Sequence, residues 1–216
     1  MIRALICDLD NTLFSPSTIP ADVVQPVIDA VLEANVGSGA VDPFVLTRAL
    51  DEGWHRPFDV VARDHDLPDW VLSVWLRENA RLEVTMPLEL FPDTECLWTT
   101  PLPRFLVTTG FRRFQESKVR ALGLGPRFDA VIIDAVDEPV RKGKERIFRE
   151  ILTDHPFPAE AFLVLGDSAD SEIAAGNRLG MVTVQVQRDG VEPAEHANYH
   201  IRTCLELPDI LRSLEE

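Results

Sequence analysis

Two carboxylates stand two positions apart in Asp8-Leu9-Asp10-Asn11-Thr12, directly after a short apolar run. As a chain leaves a strand, both can face one site. Like charges that close repel unless a cation lies between them, and oxygen ligands suit a hard ion such as Mg2+. A strand running into an Asx turn would need only one of the two. Gly166-Asp167-Ser168, followed by Asp170 and Glu172, supplies a second acidic cluster after another apolar run. A Gly-Asp pair before a helix is also an ordinary turn and N-cap, but two acid-rich strand ends together suggest one shared metal. Thr108 and Thr109 precede Gly110 at the end of a third run. A hydroxyl there can hydrogen-bond a phosphoryl oxygen, and amides at the start of the next helix can bind an anion; threonine is equally a β-favouring residue and a good cap. Lys142-Gly143-Lys144 brings positive charge to a helix start, where the bland reading is a solvated surface lysine.

These residues need a scaffold that brings distant segments together. Residues 3–7, 104–107, 128–133, 161–165 and 181–186 are short, β-rich and apolar, and four of these runs end in polar residues. Continuous rather than alternating apolar runs mark strands buried on both faces of a parallel sheet, and ligands bind at the C-terminal edge of such sheets. Helical stretches at 111–122, 144–153 and 170–179 alternate with the strands, and residues 205–214 place Leu207, Ile210, Leu211 and Leu214 along one helical face. The fold class is therefore α/β. The alternation breaks once, between Asp10 and the second strand. Residues 22–34 place Val23, Val24, Val27, Ile28, Val31 and Leu32 on one stripe, and further helical pieces are expected at 42–51, 57–65 and 68–82. Residues 16–91 thus read as a helical insert, flanked by Pro16 and Pro20 on one side and Pro87 and Pro92 on the other. Residues 1–15 and 92–216 form the α/β core.

The chain has 216 residues, 45% of them hydrophobic, enough for one α/β domain plus a smaller insert. A formal net charge of −15 argues against a nucleic-acid surface, which needs a basic face. An acidic protein that handles anions must build a local positive field from a metal and a lysine or two. Cys7, Cys96 and Cys204 have neither pairing nor metal-ligand spacing. No apolar run approaches the roughly 18 residues that span a bilayer, and the N-terminus lacks the pattern of a secretory signal. The expectation is a cytoplasmic protein with no membrane or nucleic-acid partner.

Taken in order, the four chemical signals resemble the haloacid dehalogenase (HAD) superfamily, over nearly the whole chain. ICDLDNTLF resembles its first motif, which implies Asp8 as nucleophile and Asp10 as general acid/base. FLVTTG resembles the second, with Thr108 in the Ser/Thr role. RKGKERIF resembles the third: counting back from Ile147-Phe148 puts Lys142 in the lysine place, with Lys144 as the alternative. LGDSADSEIAAGNRLG resembles the fourth, with Asp167 as metal ligand and Glu172 where aspartate is commoner. The insert resembles the helical C1-type cap, and ANYHI with LELPDIL resembles the closing strand and helix. The resemblance implies a Rossmann-like parallel sheet flanked by helices, with a small all-helical cap inserted after the first strand. It also implies hydrolysis of a small phosphorylated metabolite through an aspartyl-phosphate on Asp8. Mg2+ would be held by Asp8, Asp167 and the backbone carbonyl of Asp10, with Glu172 as a further acidic contact. Lys142, Thr108 and the amides of Leu9 and Thr109, with Gly110 beside them, would bind the phosphoryl group.

Dehalogenating members lack an acid two positions after the nucleophile, so Asp10 argues for phosphate. Phosphonate-cleaving relatives need a cap lysine, and residues 16–91 contain none. A phosphomutase would keep the same aspartates. A phospho-accepting regulatory module also combines acids, Mg2+, Thr/Ser and Lys, but lacks a helical insert and an acid at plus two. Arg48, Trp54, His55, Arg56, Trp75 and Arg77 are cap candidates for substrate contact, set against the plainer reading of cap core and solvated helix faces. Arg112 and Arg113 flank the second motif. His196 and His200 lie in loop and strand, where a spacing of four does not share a face, so no zinc site is expected.

Overall fold

The computed structural model describes residues 1–54, 56 and 58–215, which leaves His55 outside the described residues. The chain divides into two compact units, Met1–Thr18 with Thr85–Glu216, and Ile19–Val84. In chain order, β1 (Ala4–Cys7) precedes the helices of the second unit: α1 (Ala21–Ser38), α2 (Pro43–Glu52), α3 (Phe58–Asp64) and α4 (Asp69–Asn79). The first unit resumes with α5 (Glu95–Thr99), β2 (Arg104–Gly110), α6 (Arg112–Ala121), β3 (Ala130–Ala135) and α7 (Lys144–Thr153). It ends with β4 (Phe162–Gly166), α8 (Ala174–Leu179), β5 (Val182–Val186), β6 (Tyr199–Ile201) and α9 (Leu207–Ser213).

The strands form one parallel sheet in the order β3-β2-β1-β4-β5-β6. Every residue of β1 and β4 is buried, as expected for central strands covered on both faces. Successive strands run outward from β1 on one side, and the chain then crosses to β4 on the other. That reversal opens a crevice at the carboxyl ends of β1 and β4, where open α/β sheets bind ligands. On one sheet face, Ile147, Phe148 and Ile151 of α7 pack against Ile6, Phe105 and Val164. Each such buried side chain contributes about 1.5–3 kcal/mol of hydrophobic stabilisation.

The α/β class is as expected, but several boundaries move. β2 continues through Thr109 and Gly110, which pair with Asp134 and Ala135 at the end of β3. The helix expected at 170–179 opens as a π-helical turn, Ala169–Ile173, before α8. Its widened backbone bond runs from Ile173 N–H to the Ser168 carbonyl at 3.3 Å, and such turns recur at functional sites.

The helical unit has its own core. α1 buries Val27, Val31 and Asn35, spaced four apart, and stops at Gly39, whose φ of 57° suits glycine. Asn35 bonds both the N–H and the carbonyl of Val41. Asp42 then caps α2 by accepting from Phe44 N–H at 2.8 Å. Trp75 stacks on Phe58 with ring centroids 4.1 Å apart, and Trp54 tilts against Trp75. Trp75 is thus core of this unit, while Arg48, Arg56 and Arg77 form surface ion pairs with Glu52, Asp64 and Glu78. No helix among the described residues is long and apolar enough to cross a membrane.

Candidate active site

Asp8 is the first residue past β1, and its N–H extends the ladder to the Leu165 carbonyl at 2.9 Å. That bond points β1 and β4 to the same edge, so Asp8 and Asp167 emerge side by side. Lys144 Nζ lies 2.5 Å from Asp8 Oδ1 and 2.6 Å from Glu172 Oε2, with all three side chains buried. Burial alone would push the Lys144 ammonium down, but the attraction of Asp8 and Glu172 outweighs it and holds the group above the ordinary lysine range.

The lysine in this place is Lys144, not Lys142. Lys142 is half exposed and pairs with Glu150 at 2.7 Å. The local backbone explains the exchange. Gly143 adopts a φ of 75° and its N–H donates to Asp134 Oδ1 at 2.9 Å. Buried Asp134 also accepts from Arg141 Nε and from the Thr109 hydroxyl. The anchored left-handed glycine turns the chain so that residue 144 opens α7 toward the crevice. Counting along a motif cannot register such a turn.

Asp8, Asp167 and Glu172 each offer an oxygen within 4.8 Å of the others. Burial pushes the Asp8 carboxyl well above the usual range against the pull of Lys144, and Glu172 and Asp167 add repulsion. Asp167 is pushed up to about 6, mainly by burial and then by Glu172. Three carboxylates sharing one ammonium leave the crevice short of positive charge, and an all-oxygen donor set fits a hard divalent cation. Glu172 Oε1 also accepts from Ser168 N–H at 2.6 Å. The side chain folds so tightly over Gly166 that a β-carbon there would collide with its Cγ and carboxyl group. Buried Gln185 steadies the same loop by donating to the Asp167 carbonyl at 2.8 Å.

Asp10 sits outside the three-carboxylate group. Lys118 Nζ donates to its Oδ1 at 2.8 Å and Gln115 Nε2 to its Oδ2 at 2.9 Å. The same Gln115 nitrogen lies 2.5 Å from the Thr108 hydroxyl. Thr109 turns its hydroxyl toward Asp134 instead, at 3.3 Å. Leu9 buries its side chain in the core. A β-carbon on Gly110 would lie 2.9 Å from Gln115 Cδ, so glycine makes room for that side chain. Sequence reasoning missed Gln115 and Lys118, and read Asp134 only as the polar end of a strand. For Gln115 and Lys118 the available signal was their position after the second motif, three apart on one face of α6. Arg112 pairs with Glu138 at the surface. His196 is exposed, and His200 bonds the Ala194 carbonyl.

The profile of the haloacid dehalogenase-like hydrolases matches residues 2–180. The chain belongs to this family of enzymes. Two curated relatives align end to end: the glyceraldehyde 3-phosphate phosphatase of Methanopyrus kandleri is 26% identical, covering 99% of both chains. That of Methanocaldococcus jannaschii is 26% identical over the full length of both. Among solved structures, a HAD phosphatase from Thermococcus onnurineus superposes with a TM-score of 0.67 at 23% identity, covering 97% of this chain and 98% of that one. A 2-haloacid dehalogenase from Pseudomonas syringae reaches 0.60 at 21% identity, covering 99% and 100%. At those identities the structural likeness establishes the HAD fold, which phosphatases and dehalogenases share.

Proposed function

We propose that this HAD hydrolase cleaves small phosphomonoesters, with Asp8 as the covalent phosphoryl acceptor. The observation that carries the reading is a buried lysine holding one oxygen of Asp8 while Asp10, two residues on, keeps its carboxylate partly open beside Thr108. A carbon-attacking dehalogenase needs no second acid there. The end-to-end alignment with two proteins named glyceraldehyde 3-phosphate phosphatase supports a phosphorylated triose, or a metabolite like it, as the first substrate to try.

Asp8, Asp167 and the backbone carbonyl of Asp10 are the proposed Mg2+ ligands, with Glu172 behind them. The bound ion would supply the positive charge that lets a phosphate dianion approach a carboxylate. Lys144 orients Asp8 through Oδ1, leaving Oδ2 to attack phosphorus in line. The Oδ2–P bond forms as the P–O ester bond breaks, and Asp10 gives its proton to the departing alkoxide. Water then attacks the aspartyl-phosphate, Asp10 takes its proton, and the Asp8–P bond breaks to release phosphate. Lys144, the Thr108 hydroxyl and the amides of Leu9 and Thr109 steady the phosphoryl oxygens. The helical unit is read as the cap that the sequence resembles, to which choice of the leaving group is assigned.

The test is release of inorganic phosphate from a panel of small phosphomonoesters, including glyceraldehyde 3-phosphate, with Mg2+ and with a chelator. Metal-dependent turnover that Asp8→Asn abolishes is the expected result. If purified, metal-loaded protein cleaves no ester on the panel, or only becomes stably phosphorylated, the reading fails.

A further inference from the structure

The face of α6 that carries Gln115 and Lys118 is unusual in being polar and buried: the two residues are 1% and 5% exposed. Burying a lysine is costly unless its charge is matched. Lys118 Nζ finds Asp10 Oδ1 at 2.8 Å and lies over the rings of Phe114 and Phe14 at 4.6 and 5.9 Å. Gln115 Nε2 reaches both Asp10 Oδ2 and the Thr108 hydroxyl. Gly110 ends β2 where any β-carbon would press on the Gln115 side chain, so the backbone is shaped to admit it. A purely structural contact between α6 and the loop after β1 would be served as well or better by apolar residues of similar volume.

We propose that Gln115 and Lys118 are positioning residues that fix the Asp10 carboxylate, through its two oxygens, on the trajectory of the leaving group, while Gln115 ties it to Thr108 at the phosphoryl site. This rests on the reading of Asp10 as proton donor to the leaving alkoxide. A proton donor must stay within hydrogen-bond reach of one atom during bond cleavage, and two independent anchors remove the rotations that would take Asp10 out of line. Lys118 and Gln115 touch neither substrate nor the reacting phosphorus; they act through Asp10 and Thr108.

The inference concerns departure of a basic alkoxide, so the decisive quantity is a ratio. kcat/KM reports phosphoryl transfer to Asp8, and it should be measured on glyceraldehyde 3-phosphate, whose leaving oxygen needs a proton, and on p-nitrophenyl phosphate, whose leaving group does not. In Lys118→Met and Gln115→Leu the alkyl-to-aryl ratio should fall about tenfold or more, within the range that misplacing an acid catalyst costs. Lys118→Arg should recover most of it, since a guanidinium can replace the charged donor. Equal losses on both esters, or a Lys118→Arg variant no better than Lys118→Met, would reduce the two residues to structural ones and overturn the inference. If Lys118→Met does not fold, Gln115→Leu and Lys118→Arg decide by the same ratio. Asp10→Asn separates this outcome from failure of the wider reading. A selective loss in Asp10→Asn without one in Gln115→Leu and Lys118→Met removes this inference alone. No selective loss in Asp10→Asn removes the role assigned to Asp10, and this inference with it.

Discussion

Lys144 Nζ lies 2.5 Å from Asp8 Oδ1, a contact spanning 136 positions of sequence. The pair is buried, and Glu172 shares the same ammonium. Replacing Lys144 by Met should therefore lower kcat by about 10²–10³, as loss of a preorganised charge does. Lys142→Met should stay within about twofold of wild type, because exposed ion pairs such as Lys142–Glu150 contribute little. Phosphate release by the two purified variants checks this directly. Equal losses would place both lysines in the site.

Asp167, held at about 6 in the folded protein, gives a signed pH dependence. An aspartate in the unfolded chain titrates near about 3.9. Between these values the metal-free native state binds more protons than the unfolded one, so this group's contribution to stability falls as pH rises through the window, then levels off. A divalent cation competes with those protons. The gain in melting temperature on adding Mg2+ should thus be small near pH 5 and grow toward pH 7. A gain of the same size at both values would contradict a metal at Asp8 and Asp167.

Gly166 and Glu172 are in such close approach that Gly166→Ala must displace the glutamate. Overpacking of this kind costs about 1–3 kcal/mol, and here it should also weaken Mg2+ binding measured by calorimetry. Glu172→Asp is one methylene shorter and should relieve part of the clash. The double variant is expected to melt above Gly166→Ala alone, because contacting residues couple. Strict additivity of the two substitutions would show that they do not collide.

Asp93 and Arg188 form a further, largely buried ion pair of the first unit. Arg188 donates twice to Asp93, at 2.7 and 2.9 Å, and once to the Thr12 carbonyl. Asp93 also accepts from the Thr203 hydroxyl and the Cys204 N–H. Burial opposes these bonds, yet together they hold its carboxyl below the ordinary range. The stability they confer is present above the unfolded pKa and lost as pH falls through the folded one. Asp93→Ala should cost on the order of 2 kcal/mol in urea denaturation, less than a fully buried pair because the side chains keep some solvent contact. A comparable loss from Glu145→Ala, which breaks only surface pairs, would refute the distinction.

Asp8, Asp10, Thr108 and Asp167 are legible as candidates in the sequence alone, and so is the α/β class. Each stands where a continuous apolar run stops, and both the run and the stop are local properties of the chain. The parallel sheet then follows, because runs buried on both faces need helices above and below. The helical stretch between Asp10 and the second strand was legible for the same reason, since a period of 3.6 shows within a dozen residues.

Local pattern was silent about the partners those residues acquire. Gln115 and Lys118 look in sequence like the wet face of an amphipathic helix, and burial against β2 and the loop after β1 reverses that meaning. Choosing Lys144 over Lys142 required the left-handed turn at Gly143 and its anchor on Asp134, nine residues earlier and on another element. The widened turn at 169–173 exists because Glu172 must reach back to Ser168 while also meeting Lys144 from α7. Period and apolarity encode where strands and helices lie. Which polar atom meets which is settled by packing between different elements, over a hundred residues apart for Asp8 with Lys144 and for Asp10 with Gln115 and Lys118, and that information enters only when the chain closes on itself.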